Sequence, residues 1–226
     1  MLMNQVQHRL QREIRKQVDI HYLLYLPDKY GDDKSVKWPL LLFLHGAGER
    51  ENDIKLVKRH GPPYLIDNGK AFPFVIVSPQ CPQNSMWEME TDAVIAMLDE
   101  LIATHNIDES KVYVTGLSMG GSGAWNLAAD YPNKFAAIAP ICSGGNLEKS
   151  KQLKHTPIWA FHGENDDVTP VKQAQEMVKA VEASGGSAKL TVYPNTKHNS
   201  WTKTYNNPEL YQWLLSHSKP ANKTNS

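Results

Sequence analysis

Short apolar runs, most of which stop at a histidine, glycine or proline, are the feature that most constrains this chain. Apolar runs without polar alternation indicate strands buried on both faces, as in the centre of a parallel sheet. Such runs lie at residues 40–44, 74–77, 112–115, 135–141, 158–161 and 190–193, and an edge strand is expected at 18–26. Helical patterns separate them. The sequence therefore predicts an α/β fold, with a mostly parallel central sheet and helices on both faces.

Two of the intervals show helical periodicity most clearly. One apolar face is formed by Val94, Leu98, Leu101 and Ile102, and another by Val171, Ala174, Val178 and Val181. The second helix is expected to have Thr169 as its N-cap and Pro170 as its first residue. No repeat or linker divides the 226 residues. We therefore expect a single domain over 1–226, with a frayed tail from about residue 217.

Charge and composition exclude several classes of protein. The 24 basic residues balance the 24 acidic ones, whereas a nucleic-acid partner favours a basic excess. No apolar run approaches the roughly 18 residues of a membrane span. Cys81 and Cys142 are too few for a disulfide framework, so we expect free thiols. Residues 1–16 lack the apolar core of a secretory signal, which favours the cytoplasm unless a signal has been removed.

The segment Gly116-Leu-Ser-Met-Gly-Gly carries the strongest chemical signal. It follows the run at 112–115 and opens a helical stretch at 119–130. Gly-x-Ser-x-Gly between a strand and a helix is typical of a nucleophile elbow, a tight turn that exposes the serine hydroxyl. Ser118 is therefore the predicted nucleophile.

A serine hydroxyl needs a base, and the base needs an orienting acid. In elbow-type hydrolases the acid and then the base follow later strands. Asp166, after the run at 158–161, is the predicted acid, with Asp167 and Glu164 as competitors. His198, after the run at 190–193, is the predicted base. His45 and His162 each end a buried run beside a glycine, and both are interpreted as loop anchors.

Acyl transfer also needs N–H donors aimed at the developing oxyanion. One such donor is the residue after the nucleophile, here Met119. The other comes from the loop after the first central strand, where Ala47 lies between two glycines. No metal or cofactor is implied.

Together, the segments LHGAGER, GLSMGG, HGENDDVTP and KHNSW resemble the α/β-hydrolase superfamily. More narrowly, the chain is similar to the phospholipase/carboxylesterase and dienelactone-hydrolase-like group, which includes "predicted peptidase" esterases. The resemblance covers about residues 24–215. It implies the α/β-hydrolase fold, a triad of Ser118, Asp166 and His198, and oxyanion donors at Ala47 and Met119.

The resemblance also has departures and secondary implications. Dienelactone hydrolases use a cysteine nucleophile, whereas this elbow carries a serine. A dienelactone is therefore not the expected substrate. The resemblance suggests that Glu49 and Arg50 hold the oxyanion loop through ion pairs, although a solvated charge cluster is the alternative. Three residues are candidates for lining the substrate, or for ordinary core packing: Gln80, Trp87 and Trp201.

The interval where lipases of this fold carry a lid is short and polar here, spanning residues 142–156. We therefore predict no large lid, an open site, and a serine carboxylesterase acting on small soluble esters. A serine peptidase or amidase, a feruloyl or acetyl esterase acting on plant polysaccharide, and a non-catalytic binding scaffold remain as alternatives. No membrane or nucleic-acid partner is expected, and the oligomeric state is left open.

Overall fold

The computed structural model describes residues 6–13 and 15–220. Seven strands form one sheet in the order β1-β3-β2-β4-β5-β6-β7, and only β1 runs antiparallel to its neighbour. Their bounds are β1 Tyr22–Tyr25, β2 Trp38–Leu44, β3 Val75–Pro79, β4 Ile107–Leu117, β5 Ala137–Ile141, β6 Ile158–Gly163 and β7 Ala188–Tyr193. The predicted mostly parallel sheet and its edge strand are confirmed, and the structure shows that this edge strand is antiparallel.

Helices cover both faces of the sheet, as predicted. One face packs against α2 Thr91–Thr104, α3 Met119–Asp130 and α4 Val171–Ala183. The other packs against α1 Gly61–Asp67, α5 Trp201–Asn206 and α6 Pro208–Leu215. The strands are buried on both sides because consecutive residues enter different cores: Leu40 and Leu42 face the first, and Leu41 and Phe43 the second. This explains why the apolar runs show no alternation.

The start of α4 differs from the prediction. The helix begins at Val171 and Pro170 is its N-cap, so Thr169 lies one residue outside. The reason is visible in the contacts of Thr169, whose N–H donates to Asp166 Oδ1 and whose carbonyl accepts from His162 Nε2. Both backbone groups of Thr169 thus belong to the loop after β6. The short helices α1, α5 and α6 were not delimited from the sequence.

The predicted lid-free interval and tail can be located as well. Between β5 and β6 the chain forms only a short 3-10 helix, Leu147–Leu153. Of the tail, residues 221–226 lie outside the described residues, whereas the Lys219 N–H donates to the carbonyl of Ser110. Among the described residues, no helix is long and apolar enough to cross a membrane.

Candidate active site

Ser118 lies in the sharp turn between β4 and α3. Its backbone is held at φ 53° and ψ −118°, a strained conformation for a residue with a side chain. The turn is possible only because glycine stands on either side: a Cβ on Gly116 would lie 2.3 Å from the carbonyl oxygen of Gly120, and one on Gly120 would lie 2.0 Å from that of Leu44. The predicted elbow is thus present, and it lifts the serine hydroxyl away from the sheet.

Three side chains from separate loops meet at this hydroxyl. Ser118 Oγ lies 3.0 Å from His198 Nε2. On the other side of the ring, His198 Nδ1 lies 2.9 Å and 2.8 Å from the two oxygens of Asp166. The distance from Ser118 Oγ suits an O–H donated to His198 Nε2, and the distances to Asp166 suit an N–H donated by His198 Nδ1. The geometry therefore joins a nucleophile, a base and an orienting acid in one hydrogen-bonded line.

Of the three candidate acids, only Asp166 contacts the histidine. Asp166 is buried, and its Oδ1 also accepts the N–H groups of Val168 and Thr169. Asp167 is exposed and pairs with Lys197, whose hydrogen bond lowers the pKa of that carboxyl. Glu164 is exposed and accepts from the backbone N–H of Asn195. The two competitors point to other partners.

The histidine at the end of β6 does more than anchor the loop. His162 Nε2 lies 2.8 Å from the Thr169 carbonyl and 3.1 Å from Asp166 Oδ2. Burial lowers the pKa of His162, so the ring is neutral near pH 7 and Nε2 carries the proton that the carbonyl accepts. Asp166 thus lies between two histidines that both approach its Oδ2, and the contact with His162 was not revealed by the sequence.

The two expected oxyanion donors stand at the starts of helical turns. Met119 is the first residue of α3, and Ala47 is the first of a 3-10 helix, Ala47–Glu49. N–H groups in the first turn of a helix have no acceptor within that helix. Two arginines hold the carbonyls of this loop, since Arg50 Nε donates to Ala47 and Arg59 Nη1 to Gly48. Because the N–H groups of Ala47 and Met119 have no acceptor within their helices, they can donate to a ligand.

Buried polar side chains fix the same loop from below. Burial lowers the pKa of His45 to about 4, so its ring is neutral. Nδ1 donates to the Gly46 carbonyl, and Nε2 accepts the N–H of Cys81. Trp87 Nε1 donates to the His45 carbonyl, and Gln80 Nε2 donates to the carbonyl of Glu49. Trp87 and Gln80 are 2% and 5% exposed, so they hold the loop and offer little surface to a substrate.

Both cysteines are free and buried. Cys142 lies directly behind the elbow, where its Sγ accepts the N–H of Ser118 at 3.2 Å. Burial raises the pKa of Cys142 to about 12, so the sulfur remains a neutral thiol. Within the described residues, no group of three or more His, Cys, Asp or Glu side chains is arranged to hold a metal ion.

Trp201, the third candidate for lining the substrate, flanks His198, the predicted base. Its ring meets that of His198 nearly at right angles with centroids 5.5 Å apart, and its centroid lies 5.3 Å from that of His60. Behind His60 lies the buried carboxylate of Glu49, 3.8 Å from His60 Nε2. Glu49 therefore faces two histidines, His60 and His45, whereas Arg50 bonds to carbonyls rather than to the expected ion-pair partners.

Comparison with known proteins agrees with this geometry. The profile of the dienelactone hydrolase family matches residues 78–221. The chain belongs to the dienelactone hydrolase family. The predicted α/β-hydrolase fold is confirmed, although this family member carries Ser118 at the elbow in place of the expected family cysteine.

Relatives of this family member are named as esterases. A bifunctional acetylxylan esterase/xylanase, XynS20E of Neocallimastix patriciarum, is 31% identical over 205 residues, covering 86% of this chain and 28% of the relative. A probable feruloyl esterase C of Aspergillus terreus is 28% identical over 81% of this chain and 68% of its own length. The crystal structure of a thermostable esterase superposes with a TM-score of 0.79 at 37% identity, over 89% of this chain and 60% of that one.

These names agree with the ester hydrolase predicted from the sequence. The chain nevertheless spans only 28% of the first relative and 60% of the thermostable esterase.

Proposed function

We propose that this member of the dienelactone hydrolase family is a serine carboxylesterase that acts through Ser118, His198 and Asp166. The observation that carries the proposal is the line of contacts from Ser118 Oγ through both ring nitrogens of His198 to Asp166, with distances of 2.8 to 3.0 Å. Esterase relatives and the strained elbow support it.

The reaction follows as a two-step acyl transfer. His198 Nε2 takes the Ser118 proton as Oγ attacks the ester carbonyl, and Asp166 stabilises the imidazolium that forms. The N–H groups of Ala47 and Met119 receive the oxyanion. His198 then donates its proton to the departing alcohol. In the second step, His198 takes a proton from a water molecule as that water attacks the acyl carbonyl. His198 then returns the proton to Ser118 Oγ as the acid leaves.

We propose small soluble esters as the substrate class. The 3-10 helix Leu147–Leu153 is too short to form a lid over the site. Acetyl and feruloyl esters of plant polysaccharide are a separate, second candidate, favoured by the names of the two relatives. The cytoplasmic location expected from the sequence stays a prediction, and cell fractionation would test it.

Hydrolysis of p-nitrophenyl esters from acetate to laurate tests the proposal. We expect the wild type to peak at acetate to butyrate, and Ser118→Ala to lower kcat by about 10⁴-fold to 10⁶-fold with an unchanged melting temperature. Near-normal turnover by the variant would rule out Ser118 as the nucleophile.

Two further measurements separate the competing functions. Faster cleavage of an amide than of the matching ester would favour the peptidase. A folded wild type that neither hydrolyses any ester nor reacts with a fluorophosphonate would favour the binding scaffold. We expect ester preference and stoichiometric labelling at Ser118.

A further inference from the structure

A surface cavity of about 280 Å³ opens beside Trp201, the residue that packs against the ring of His198. It lies between α1, together with the two residues that precede it, and the helix α5. Its lining includes Arg59, His60, Tyr64, Leu65, Trp201 and Asn206. Trp201 connects it to the active site, because the same indole lines the cavity and contacts the His198 ring. The cavity thus begins one aromatic ring away from the proposed reacting atoms.

The position of the cavity indicates which part of the ester, acyl or alcohol, it can bind. In the proposed reaction, the alcohol oxygen must lie next to His198 Nε2, since that atom supplies its proton. The alcohol part is therefore directed toward the side of the site on which His198 and Trp201 lie. We propose that this cavity is the subsite for the alcohol part of the ester, and that this alcohol is a sugar. The inference rests on the proposed esterase function.

The lining suits a sugar ring. Tyr64 is 48% exposed and the His60 side chain 39% exposed, so aromatic surface is accessible beside Trp201. Aromatic faces pack against the C–H face of a sugar, and planar polar groups bond to its hydroxyls. Arg59 uses one N–H for the Gly48 carbonyl and carries further N–H donors. The amide nitrogen of Asn206 donates to the Thr202 carbonyl, and its Oδ1 can accept.

The size and the construction of the cavity support a single ring. Its volume lies just below the range of about 300–1,000 Å³ that is typical of small-molecule sites, so it favours one ring over an extended chain. Within the described residues, Trp201 Nε1 is buried without an acceptor. The indole is thus positioned by its contacts with His60 and His198, not by a hydrogen bond.

Three acetate esters with different alcohols test the proposal: ethyl acetate, phenyl acetate and acetylated methyl β-xyloside. Tyr64→Ala removes an exposed ring, and we expect it to lower kcat/KM for the xyloside ester about tenfold, the scale of one aromatic contact. We expect ethyl acetate to change by less than about twofold, since its alcohol does not reach the ring. Tyr64→Phe keeps the ring and is expected to behave like the wild type.

Tyr22→Ala is the matched control, because Tyr22 is 39% exposed on the edge strand β1 and does not line the cavity. Equal effects of Tyr64→Ala on the xyloside ester and ethyl acetate would overturn the proposal. A larger loss on phenyl acetate than on the xyloside ester would replace the sugar with an aromatic alcohol. If Tyr64→Ala changes none of the three rates while hydrolysis still depends on Ser118, the sugar subsite is overturned and the esterase function stands. A wild type that cleaves none of the three esters would overturn both proposals.

Discussion

Two loops of the active site are each entered through a His-Gly pair, and the two pairs differ in what they hold. His45-Gly46 directly follows β2 and leads into the loop with the expected oxyanion donor. His162-Gly163 ends β6 and leads into the loop with the expected acid. His45 hydrogen-bonds to backbone groups, those of Gly46 and Cys81, and its Nδ1 lies 4.0 Å from the Glu49 carboxylate, beyond hydrogen-bond distance. His162 bonds to the Thr169 carbonyl and also faces the carboxylate of Asp166.

The glycines differ in the same way. A Cβ on Gly46 would lie 2.8 Å from Leu117 Cδ1 and 3.2 Å from Glu49 Oε2, which are the ends of side chains and not backbone atoms. A Cβ on Gly163 would lie 2.2 Å from the carbonyl oxygen of Lys197, in the backbone just before His198. The first loop is therefore an internally supported donor loop, whereas the second is packed directly against the loop of the base. His45-Gly46 thus supports the backbone of the donor loop, whereas His162-Gly163 holds the predicted acid and base in position.

The largest expected effect lies in the second loop. Asp166→Asn replaces the acceptor of the His198 Nδ1–H by an amide, which favours the wrong tautomer of the ring. We expect kcat for p-nitrophenyl acetate to fall by about 10⁴-fold, as for this change in other triads. Steady-state kinetics at pH 7.5 would measure it.

Asp167→Asn is the matched control one residue away, since its carboxylate is exposed and pairs with Lys197. An exposed ion pair contributes little, so we expect kcat within about twofold of the wild type. The reverse order of the two losses would transfer the acid to Asp167. Comparable losses in both would show that the loop as a whole, and not one carboxylate, orients His198.

The glycine comparison predicts the next effect. In Gly163→Ala the loop before His198 must shift, and a misplacement near 1 Å costs about 10²-fold in rate. We expect kcat to fall by about that factor. Gly46→Ala is expected to cost less than about fivefold, because only side-chain ends must move.

Melting temperatures of both glycine variants separate misplacement from unfolding. If Gly46→Ala costs as much activity as Gly163→Ala while both remain folded, the contrast between the loops is wrong.

Much of this arrangement was predictable from sequence, because it depends on local pattern. The apolar runs predicted the strands, and Gly-x-Ser-x-Gly at a strand end predicted the elbow at Ser118. The chain order predicted an acid and a base after later strands, and the structure places Asp166 and His198 together. These features need only the sequence neighbours of each residue.

Contacts between distant loops were not predictable. The bond from Gln80 to the Glu49 carbonyl joins residues 31 positions apart, and that from Trp87 to the His45 carbonyl spans 42 positions. Nothing in their local sequence separates a residue that supports a loop from one that lines a substrate. The cavity beside Trp201 likewise combines the segment entering α1 with α5, two short elements whose periodicity is too brief to delimit.

The smallest expected effect concerns stability and the histidine of the first loop. Burial lowers the pKa of His45 to about 4 in the folded protein, below the 6.5 of an unperturbed histidine. The unfolded chain therefore binds more protons between these two values, and the free energy of unfolding falls as the pH falls through this window. The stabilisation is complete above pH 6.5. Between pH 7.5 and pH 5, we expect His45 to account for a loss of about 2 kcal/mol.

Urea unfolding of the wild type and His45→Gln at both pH values measures this contribution. The glutamine cannot titrate, and the difference between the two proteins cancels every other group, including His162, whose pKa burial also lowers. We expect the variant to be less stable at pH 7.5, because two loop hydrogen bonds are altered, but to lose less stability on acidification. An equal loss in both proteins would mean that His45 is protonated in the folded state. The donor loop would then be supported by a charged ring, and the two His-Gly pairs would differ in charge as well as in partner.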